Sequence, residues 1–142
     1  MQNDGEFYYW SKGDKQPLGA HFSTLEFTCH CQHPSCISQR IACALVDRLN
    51  SLREEIQQPL QVHSGFRCAQ RQQDLRNSGL ETAVGTSQHE LGKAADIAVA
   101  PTSMHELLQL CKEKFKAVGV AHSFIHVDLR DDKIRYWSYS HS

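Results

Sequence analysis

The sequence has no long hydrophobic run and no excess of charge of either sign. No apolar stretch of roughly 18 residues, the length needed to cross a bilayer, occurs in the chain. Fifteen lysines and arginines nearly balance sixteen aspartates and glutamates, which gives a formal net charge of −1. We therefore expect no transmembrane segment and, without a basic surface, no nucleic-acid partner.

The chain also lacks a secretion signal, internal repeats and low-complexity segments. Its first six residues are polar and acidic, without the basic and then apolar pattern of a signal peptide. We expect a protein that is made in the cytoplasm and either stays there or is delivered by another component. A length of 142 residues with 40% apolar and 22% charged content fits one domain over residues 1–142, with 1–21 as an N-terminal lead.

The sequence does contain residues of metal-binding type at two places. His89 and Asp96 are seven residues apart, and His126 follows thirty residues after Asp96. Zinc accepts imidazole and carboxylate ligands, and three protein ligands leave the fourth tetrahedral position open for water, as in catalytic sites. Zinc lowers the pKa of that water and polarises a carbonyl, so the pattern indicates hydrolysis of an amide bond.

The residues around these positions favour a shared site. Asp96 lies in an otherwise small and apolar segment, where a carboxylate is costly unless it is paired or bound to metal. Residues 123–129 alternate between apolar and polar, which predicts a strand with Phe124, His126 and Asp128 on one face. Two neighbouring strands would bring Asp96 and His126 together.

Four motifs occur in order along the chain. The first is Phe27-Thr28-Cys29-His30-Cys31, and the second is Ser64-Gly65-Phe66-Arg67-Cys68. The third has two segments, Ser87-x-His89-x-x-Gly92-x-Ala94-x-Asp96 and Phe124-Ile125-His126-Val127-Asp128. The fourth is Arg135-Tyr136-Trp137-Ser138-Tyr139. Over residues 22–139 the chain resembles the M15 peptidases, the zinc D-Ala-D-Ala carboxypeptidases and endopeptidases. The resemblance is closest to the short branch found in phage lysis proteins, phage tail proteins and bacterial cell-wall enzymes.

The resemblance implies a fold and a set of site residues. The wider group, with lysostaphin-type peptidases and the hedgehog signalling domain, shares a small antiparallel sheet with flanking helices. Zinc would be held by His89, Asp96 and His126. Arg67 would face the carbonyl of the bond to be cleaved, where a fixed cation stabilises the developing oxyanion more than the ground state.

The general base is not identified by the motifs. Better-known members carry an acidic residue three positions before the last zinc histidine, where this chain has Ser123, and hedgehog-type domains use a histidine where it has Phe124. Asp128 is the first candidate, although it fits equally well a carboxylate that orients a ligand. His122, with a side chain that exchanges protons near neutral pH, is the second candidate, and Glu90 is the third.

Three further features are expected to shape the site. Ser87 is expected to bind substrate or to order its own loop. Trp137 is expected to form an apolar wall of the cleft or to pack in the core. Residues 80–86 are expected to form a loop over the cleft, and Gly92 permits a positive φ or a close backbone approach.

Six cysteines leave several possibilities open. Cys43 and Cys111 fall in helical patterns and are expected to pack as small apolar residues. The other four lie near the motifs: Cys29, Cys31, Cys36 and Cys68. They are interpreted as free thiols, as partners in a disulfide or as a structural zinc site. Free thiols are the default in a reducing cytosol, and the usual paired C-x-x-C spacing of zinc sites is absent.

Hydrophobic periodicity predicts an α+β fold with a small antiparallel sheet and about three flanking helices. The predicted helices cover 38–56, 69–76 and a segment that begins at a capping box of Ser103 and Glu106. The predicted strands cover 7–10, 60–63, 94–100, 123–129 and 134–139.

The sequence thus predicts a zinc-dependent metallopeptidase that cleaves an amide bond in peptidoglycan stem peptides by attack of metal-activated water. The bond could be D-Ala-D-Ala, L-Ala-D-Glu or a cross-bridge. Action on the cell wall would require release by a holin or carriage by a phage virion, so lysis or virion components are the expected partners.

Two other functions are compatible with the residues. The first is a catalytically silent, zinc-stabilised binding or virion structural domain, which Ser123 at the usual acidic position favours. The second is a hydrolase that uses Cys68 with His63, although no third residue that would orient this pair is evident.

Overall fold

A computed structural model describes residues 1–79 and 87–139. Its strands are β1 (Gln2–Asn3), β2 (Phe7–Ser11), β3 (Pro17–Leu18), β4 (Phe22–Ser23), β5 (Ser38–Ala42), β6 (Gln61–Ser64), β7 (Ala94–Ala98), β8 (Ala117–Val120), β9 (Ile125–Asp128) and β10 (Arg135–Ser138). Its helices are α1 (Thr24–Phe27), α2 (Cys43–Ile56), α3 (Ala69–Asn77) and α4 (Met104–Lys114). The α+β prediction is confirmed. Within the two described ranges, no helix has both the length and the apolar character needed to span a bilayer.

Five strands form the main sheet in the order β10-β8-β9-β7-β6. Neighbouring strands are antiparallel except at one edge, where β10 runs parallel to β8 with Trp137 opposite Gly119. The expectation of an antiparallel sheet is therefore wrong at this edge. β8 and β9 form a hairpin, and the turn after β9 reverses the chain again, so β10 reaches the free edge of β8 in the same direction as β8.

A second, three-stranded sheet joins β1, β2 and β5. The prediction of one helix over 38–56 is wrong for residues 38–42, which form β5 and pair with β2, and α2 begins only at Cys43. Ile41 caused the error, because it continues the four-residue spacing of the helix stripe and is fully buried here from a strand. Hydrophobic spacing over so few residues does not distinguish the two structures.

The remaining predicted elements agree with the structure to within a few residues at each end: the strands at 7–10, 60–63, 94–100, 123–129 and 134–139 and the helix at 69–76. The predicted capping box before α4 is wrong. A 3₁₀ turn, Pro101–Ser103, precedes that helix, and the Ser103 side chain makes no cap. Its Oγ instead accepts a hydrogen bond of 2.9 Å from Gln58 Nε2.

The hydrophobic core lies between the main sheet and the helices α2 and α4. Leu45, Leu49 and Leu52 of α2 are fully buried in the same cluster as Ile97 of β7. Trp10 of β2 belongs to this cluster too, so the N-terminal segment packs on the same core. Burial of each aliphatic side chain contributes roughly 1.5–3 kcal/mol, which holds the sheet firmly against α2.

Candidate metal centre

Three neighbouring strands align polar residues on the face of the main sheet that lies away from the core. Along β7, Ala95 and Ile97 enter the core, and Asp96 between them lies on the opposite face. The strand register places Asp96 opposite His126 on β9 and opposite Ser64 on β6. The prediction that neighbouring strands bring Asp96 and His126 together is confirmed.

His89 reaches this face from a tight turn. Its backbone N–H donates to Ser87 Oγ over 3.1 Å, and its carbonyl accepts from the backbone N–H of Gly92 over 3.2 Å. Ser87 therefore orders the turn, which is one of its two expected roles. Gly92 has a φ of 73°, and a Cβ there would lie 2.9 Å from the carbonyl oxygen of Arg40. The turn thus needs glycine both for its φ and for the close approach, as predicted.

The possible ligand atoms of His89, Asp96 and His126 all lie within 4.8 Å of one another. Asp96 Oδ1 is 2.9 Å from His126 Nδ1 and 3.3 Å from His89 Nε2. None of the three residues is more than 6% exposed. Two imidazole nitrogens and one carboxylate oxygen form a donor set that zinc accepts in catalytic sites, so these residues fit a metal ion with an open position.

Both histidines have a hydrogen-bond acceptor at the nitrogen that does not approach Asp96. His89 Nδ1 lies 2.7 Å from the carbonyl oxygen of Gly65, and His126 Nε2 lies 2.8 Å from Asp128 Oδ2. A carbonyl or a carboxylate oxygen can only accept, so these two ring nitrogens carry the protons. With a metal ion bound, His89 Nε2 and His126 Nδ1 would be the ligand nitrogens, because the other nitrogen of each ring is engaged by an acceptor.

Asp128 is fully buried and held by three hydrogen bonds from Arg130. The Arg130 Nε and Nη2 donate to its two oxygens over 2.9 Å each, and the backbone N–H of Arg130 donates over 3.0 Å. Burial acts to raise the pKa of Asp128, but the hydrogen bonds from His126 and Arg130 outweigh it and hold the pKa at about 2. A carboxylate with this pKa and these partners takes up protons poorly near neutral pH.

Electrostatic interactions inside the metal centre favour an ionised Asp96. Burial acts to raise the pKa of Asp96, but His89 and His126 together hold it below its ordinary value. Burial lowers the pKa of His89, which keeps that ring neutral and able to bind metal. Burial also acts to lower the pKa of His126, but hydrogen bonds with Asp128 and Asp96 outweigh it and raise the pKa.

Arg67 lies directly against the metal centre. Its Nη2 donates to Asp96 Oδ2 over 3.0 Å, on the carboxylate oxygen that the histidines do not contact. Its Nε donates to Ser64 Oγ over 3.0 Å, and its backbone N–H donates to the carbonyl of His89 over 3.2 Å. Burial lowers the pKa of Arg67, but a guanidinium remains charged at physiological pH. The site therefore holds a fixed cation beside its carboxylate.

Two aromatic residues at the end of the chain lie against His126. The ring centroids of Trp137 and Tyr139 are 5.4 and 6.5 Å from that of the imidazole. Trp137 covers Gly119 on the neighbouring strand, where a Cβ would come within 2.5 Å of the indole. Trp137 therefore contacts His126 and is not among the described residues that form the buried core cluster.

Tyr139 also lies against His126, although the sequence motifs assigned it no role there. Burial raises the pKa of Tyr139 to about 12, so its hydroxyl stays protonated and can donate at neutral pH. The spacing of Trp137 and Tyr139 could have identified it, because residues two apart on a strand share a face.

The other predicted positions make no side-chain hydrogen bond to the three metal-site residues within the described part of the chain, or they fall outside it. His122 is exposed in the turn between β8 and β9, and among the described residues no hydrogen bond or ion pair joins it to the metal centre. The backbone carbonyl of Glu90 accepts from Arg40 Nη2 over 3.3 Å. The loop predicted at 80–86 falls outside the described residues.

Comparison with known proteins agrees with this geometry. No curated protein matches the chain. The family model described as Peptidase M15 matches residues 20–128, which include Arg67, the three metal-site residues and Asp128. M15 peptidases are metallopeptidases, and the matched segment covers most of the chain. The chain therefore belongs to the Peptidase M15 family.

Proposed function

We propose that this chain is a zinc-dependent peptidase that hydrolyses an amide bond in peptidoglycan stem peptides. The observation that carries the proposal is the convergence of two histidines and one aspartate on the same face of the sheet, in a member of a metallopeptidase family. Each histidine has its second nitrogen engaged by an acceptor, which fixes the orientation of both rings beside Asp96.

Zinc would be held by His89 Nε2, Asp96 Oδ1 and His126 Nδ1. When bound, it would supply a water of lowered pKa and polarise the carbonyl of the substrate. The hydrogen bond from Arg67 to Asp96 Oδ2 leaves Oδ1 available to the metal. The guanidinium of Arg67 would also stabilise the negative charge that develops on the carbonyl oxygen of the substrate. Tyr139, whose ring lies against His126 and whose hydroxyl is protonated at neutral pH, is a proposed second donor.

Asp128 acts in this proposal by positioning His126. Its oxygens accept from His126 and Arg130, so it holds the imidazole in the tautomer that presents Nδ1 to the metal. His122 is then the remaining proposed candidate for proton transfer, on the ground of its place in the sequence four residues before His126. Ser87 contributes by holding the His89 turn, and Trp137 contributes an apolar wall for the substrate.

The substrate class follows from the family resemblance of the four motifs. The bond is an amide of the stem peptide, either D-Ala-D-Ala, L-Ala-D-Glu or a cross-bridge. Delivery to the cell wall by a phage virion or through a holin is part of this proposal.

Incubation of the zinc-loaded protein with purified peptidoglycan and with soluble muropeptides tests the proposal. Mass spectrometry of the products identifies the bond. Free D-alanine indicates carboxypeptidase activity, and a peptide fragment with a new free amino group indicates endopeptidase activity. A His126→Ala variant that keeps its fold should release no product. Release at the wild-type rate by that variant, or no release from any muropeptide by the zinc-loaded wild type, would contradict the proposal.

A second candidate function is a zinc-stabilised binding domain without turnover. Ser123 at the usual acidic position and the full engagement of Asp128 with His126 and Arg130 favour it. In that case the zinc-loaded protein would bind muropeptides in calorimetry with no product in the mass spectrum. Cleavage that depends on His126 would exclude it.

A further inference from the structure

Four cysteine sulfurs meet at one point beside the candidate metal centre. Their Sγ atoms lie within 4.8 Å of one another, and all four residues are free cysteines. We refer to these residues as the thiol cluster: Cys29, Cys31, Cys36 and Cys68. Three of them come from a segment without helix or strand, 28–37, and the fourth is the N-cap of α3, so the cluster joins two distant parts of the chain.

Two of the sulfur–sulfur distances match the edge of a tetrahedral metal site, and the others lie within 4.8 Å. Cys68 Sγ lies 3.7 Å from both Cys29 Sγ and Cys31 Sγ. Four sulfurs placed around zinc at about 2.3 Å are separated by about 3.8 Å along each edge of the tetrahedron. A disulfide would bring two sulfurs to about 2.05 Å and would leave the other two without a role in the cluster.

Each of the four sulfurs also receives at least one N–H donor. The donors are the backbone N–H of Cys68 to Cys29 Sγ at 3.4 Å, Lys12 Nζ to Cys31 Sγ at 3.5 Å, Gln39 Nε2 to Cys36 Sγ at 3.4 Å, and the backbone N–H of Arg71 to Cys68 Sγ at 3.3 Å. Such donors stabilise thiolate ligands, and the Lys12 ammonium offsets part of the negative charge of a metal bound by four thiolates.

Hydrophobic packing contributes little in this region. The thiol cluster and Phe66 form a small buried group of their own, separate from the main core. Segment 28–37 therefore lacks both the backbone ladder of a sheet and the large apolar side chains that hold other parts of the fold. A metal ion commonly supplies the missing stability in such small units.

We propose that the thiol cluster binds a structural zinc ion, distinct from the ion of the histidine centre. Each thiol releases its proton to solvent as its sulfur binds the metal, so no oxidant or reductant is required. Four protein ligands leave no open position, which excludes direct participation in catalysis. The donor set of sulfur alone favours zinc over magnesium or calcium.

The structural zinc would also hold Arg67 in place. Cys68 directly follows Arg67, and the backbone N–H of Phe66 donates to the carbonyl of Phe27 over 2.9 Å. The Arg67 backbone is tied to His89 on the other side. Arg67 is thus held between two fixed neighbours. Phe66 before it is bonded to Phe27, and Cys68 after it would be bound to the structural zinc.

Cobalt substitution in the reduced full-length protein tests the proposal. Cobalt bound by thiolates produces an intense sulfur-to-metal absorption in the near ultraviolet, which histidine and carboxylate ligands do not produce. We expect this absorption in the wild type and in the His126→Ala variant, with one zinc per chain displaced by cobalt in that variant. The absorption should disappear in Cys31→Ser and persist in the matched control Cys43→Ser, whose thiol lies outside the cluster.

The wild-type spectrum decides the question even where the Cys31→Ser variant does not fold. No thiolate-to-cobalt absorption in the reduced wild type, or an intact mass that reveals a disulfide among these cysteines in natively purified protein, would overturn the proposal. Iron in place of zinc by elemental analysis would overturn the assignment of the metal. This proposal and the proposed peptidase function can be refuted separately. A protein without peptidase activity would still show the thiolate-to-cobalt absorption if the thiol cluster binds metal.

Discussion

The Nε2 of His126 lies 2.8 Å from Oδ2 of Asp128, a carboxylate with no exposed surface. Both residues belong to β9, two positions apart on the same face, so the strand itself fixes their contact. Arg130 holds the carboxylate from the other side. In this arrangement Asp128 stands behind a proposed zinc ligand, whereas a general base must reach the reacting water.

Replacement of Asp128 by asparagine should weaken zinc binding at the histidine centre by about 10- to 100-fold. An amide orients His126 less firmly, and it loses the charge that Arg130 contacts. Competition with a fluorescent zinc chelator measures the affinity, and Asp131→Asn, an exposed position three residues further along, is the matched control. Unchanged zinc affinity in Asp128→Asn, with strongly reduced turnover, would return Asp128 to the role of general base.

Replacement of Arg67 by lysine should lower kcat/KM by about 10²- to 10³-fold while zinc stays bound. Lysine keeps the charge but cannot donate to Ser64 and Asp96 together in the geometry of a guanidinium. Kinetics on a defined muropeptide and zinc analysis of the same sample separate the two effects. Arg53→Lys on α2 serves as the control, and equal kinetics for the two variants would exclude a part for Arg67 in the reaction.

Removal of the Tyr139 hydroxyl in Tyr139→Phe should lower kcat by about 10-fold and leave KM and zinc content near their wild-type values. The hydroxyl is protonated at neutral pH, since burial raises its pKa to about 12, so it can donate to a developing negative charge. Tyr136→Phe, at an exposed position on β10, is the control. A KM that rises with kcat unchanged would indicate that Tyr139 binds the ground state instead.

The stability that Asp128 contributes should be lost in acid. Its pKa is lowered from 3.8 to about 2 in the folded chain, so the unfolded chain binds more protons as the pH falls through this range. The contribution, about 2 kcal/mol, is present above about pH 5 and declines toward pH 2. Urea unfolding of chelator-treated wild type and Asp128→Asn at several pH values measures it. A free-energy difference between the two that does not change with pH would contradict the assignment.

Gly92→Ala should destabilise the chain by more than about 2 kcal/mol. The alanine would have to adopt a φ of 73° and would place its Cβ 2.9 Å from the carbonyl oxygen of Arg40. Gly5→Ala is the matched control, because Gly5 also has a positive φ, of 89°, but meets nothing within 4 Å, so it should lose only about 1 kcal/mol. Equal losses in urea unfolding would show that the contact with Arg40 relaxes freely.

The sequence was sufficient to predict which residues form the candidate metal centre, because their positions follow from local rules. Asp96 stood out as a charge within an apolar strand, and the alternation around His126 placed that ring on one face. The same local rules failed at residues 38–42, where the four-residue spacing of Ile41 fitted a helix although the segment pairs with β2. The hydrophobic pattern of five residues does not indicate whether they pair with a strand that is distant in the sequence.

The sequence by itself determined the α+β class, the family and the donor types of the proposed metal centre. Only the tertiary structure decided which ring nitrogen of each histidine faces the metal position, since the acceptors come from Gly65 for His89 and from Asp128 for His126. It also decided that Tyr139 joins the site and that four cysteines separated by up to 39 residues converge. Such contacts depend on how strands and turns pack against one another, and residue spacing along one chain does not specify that packing.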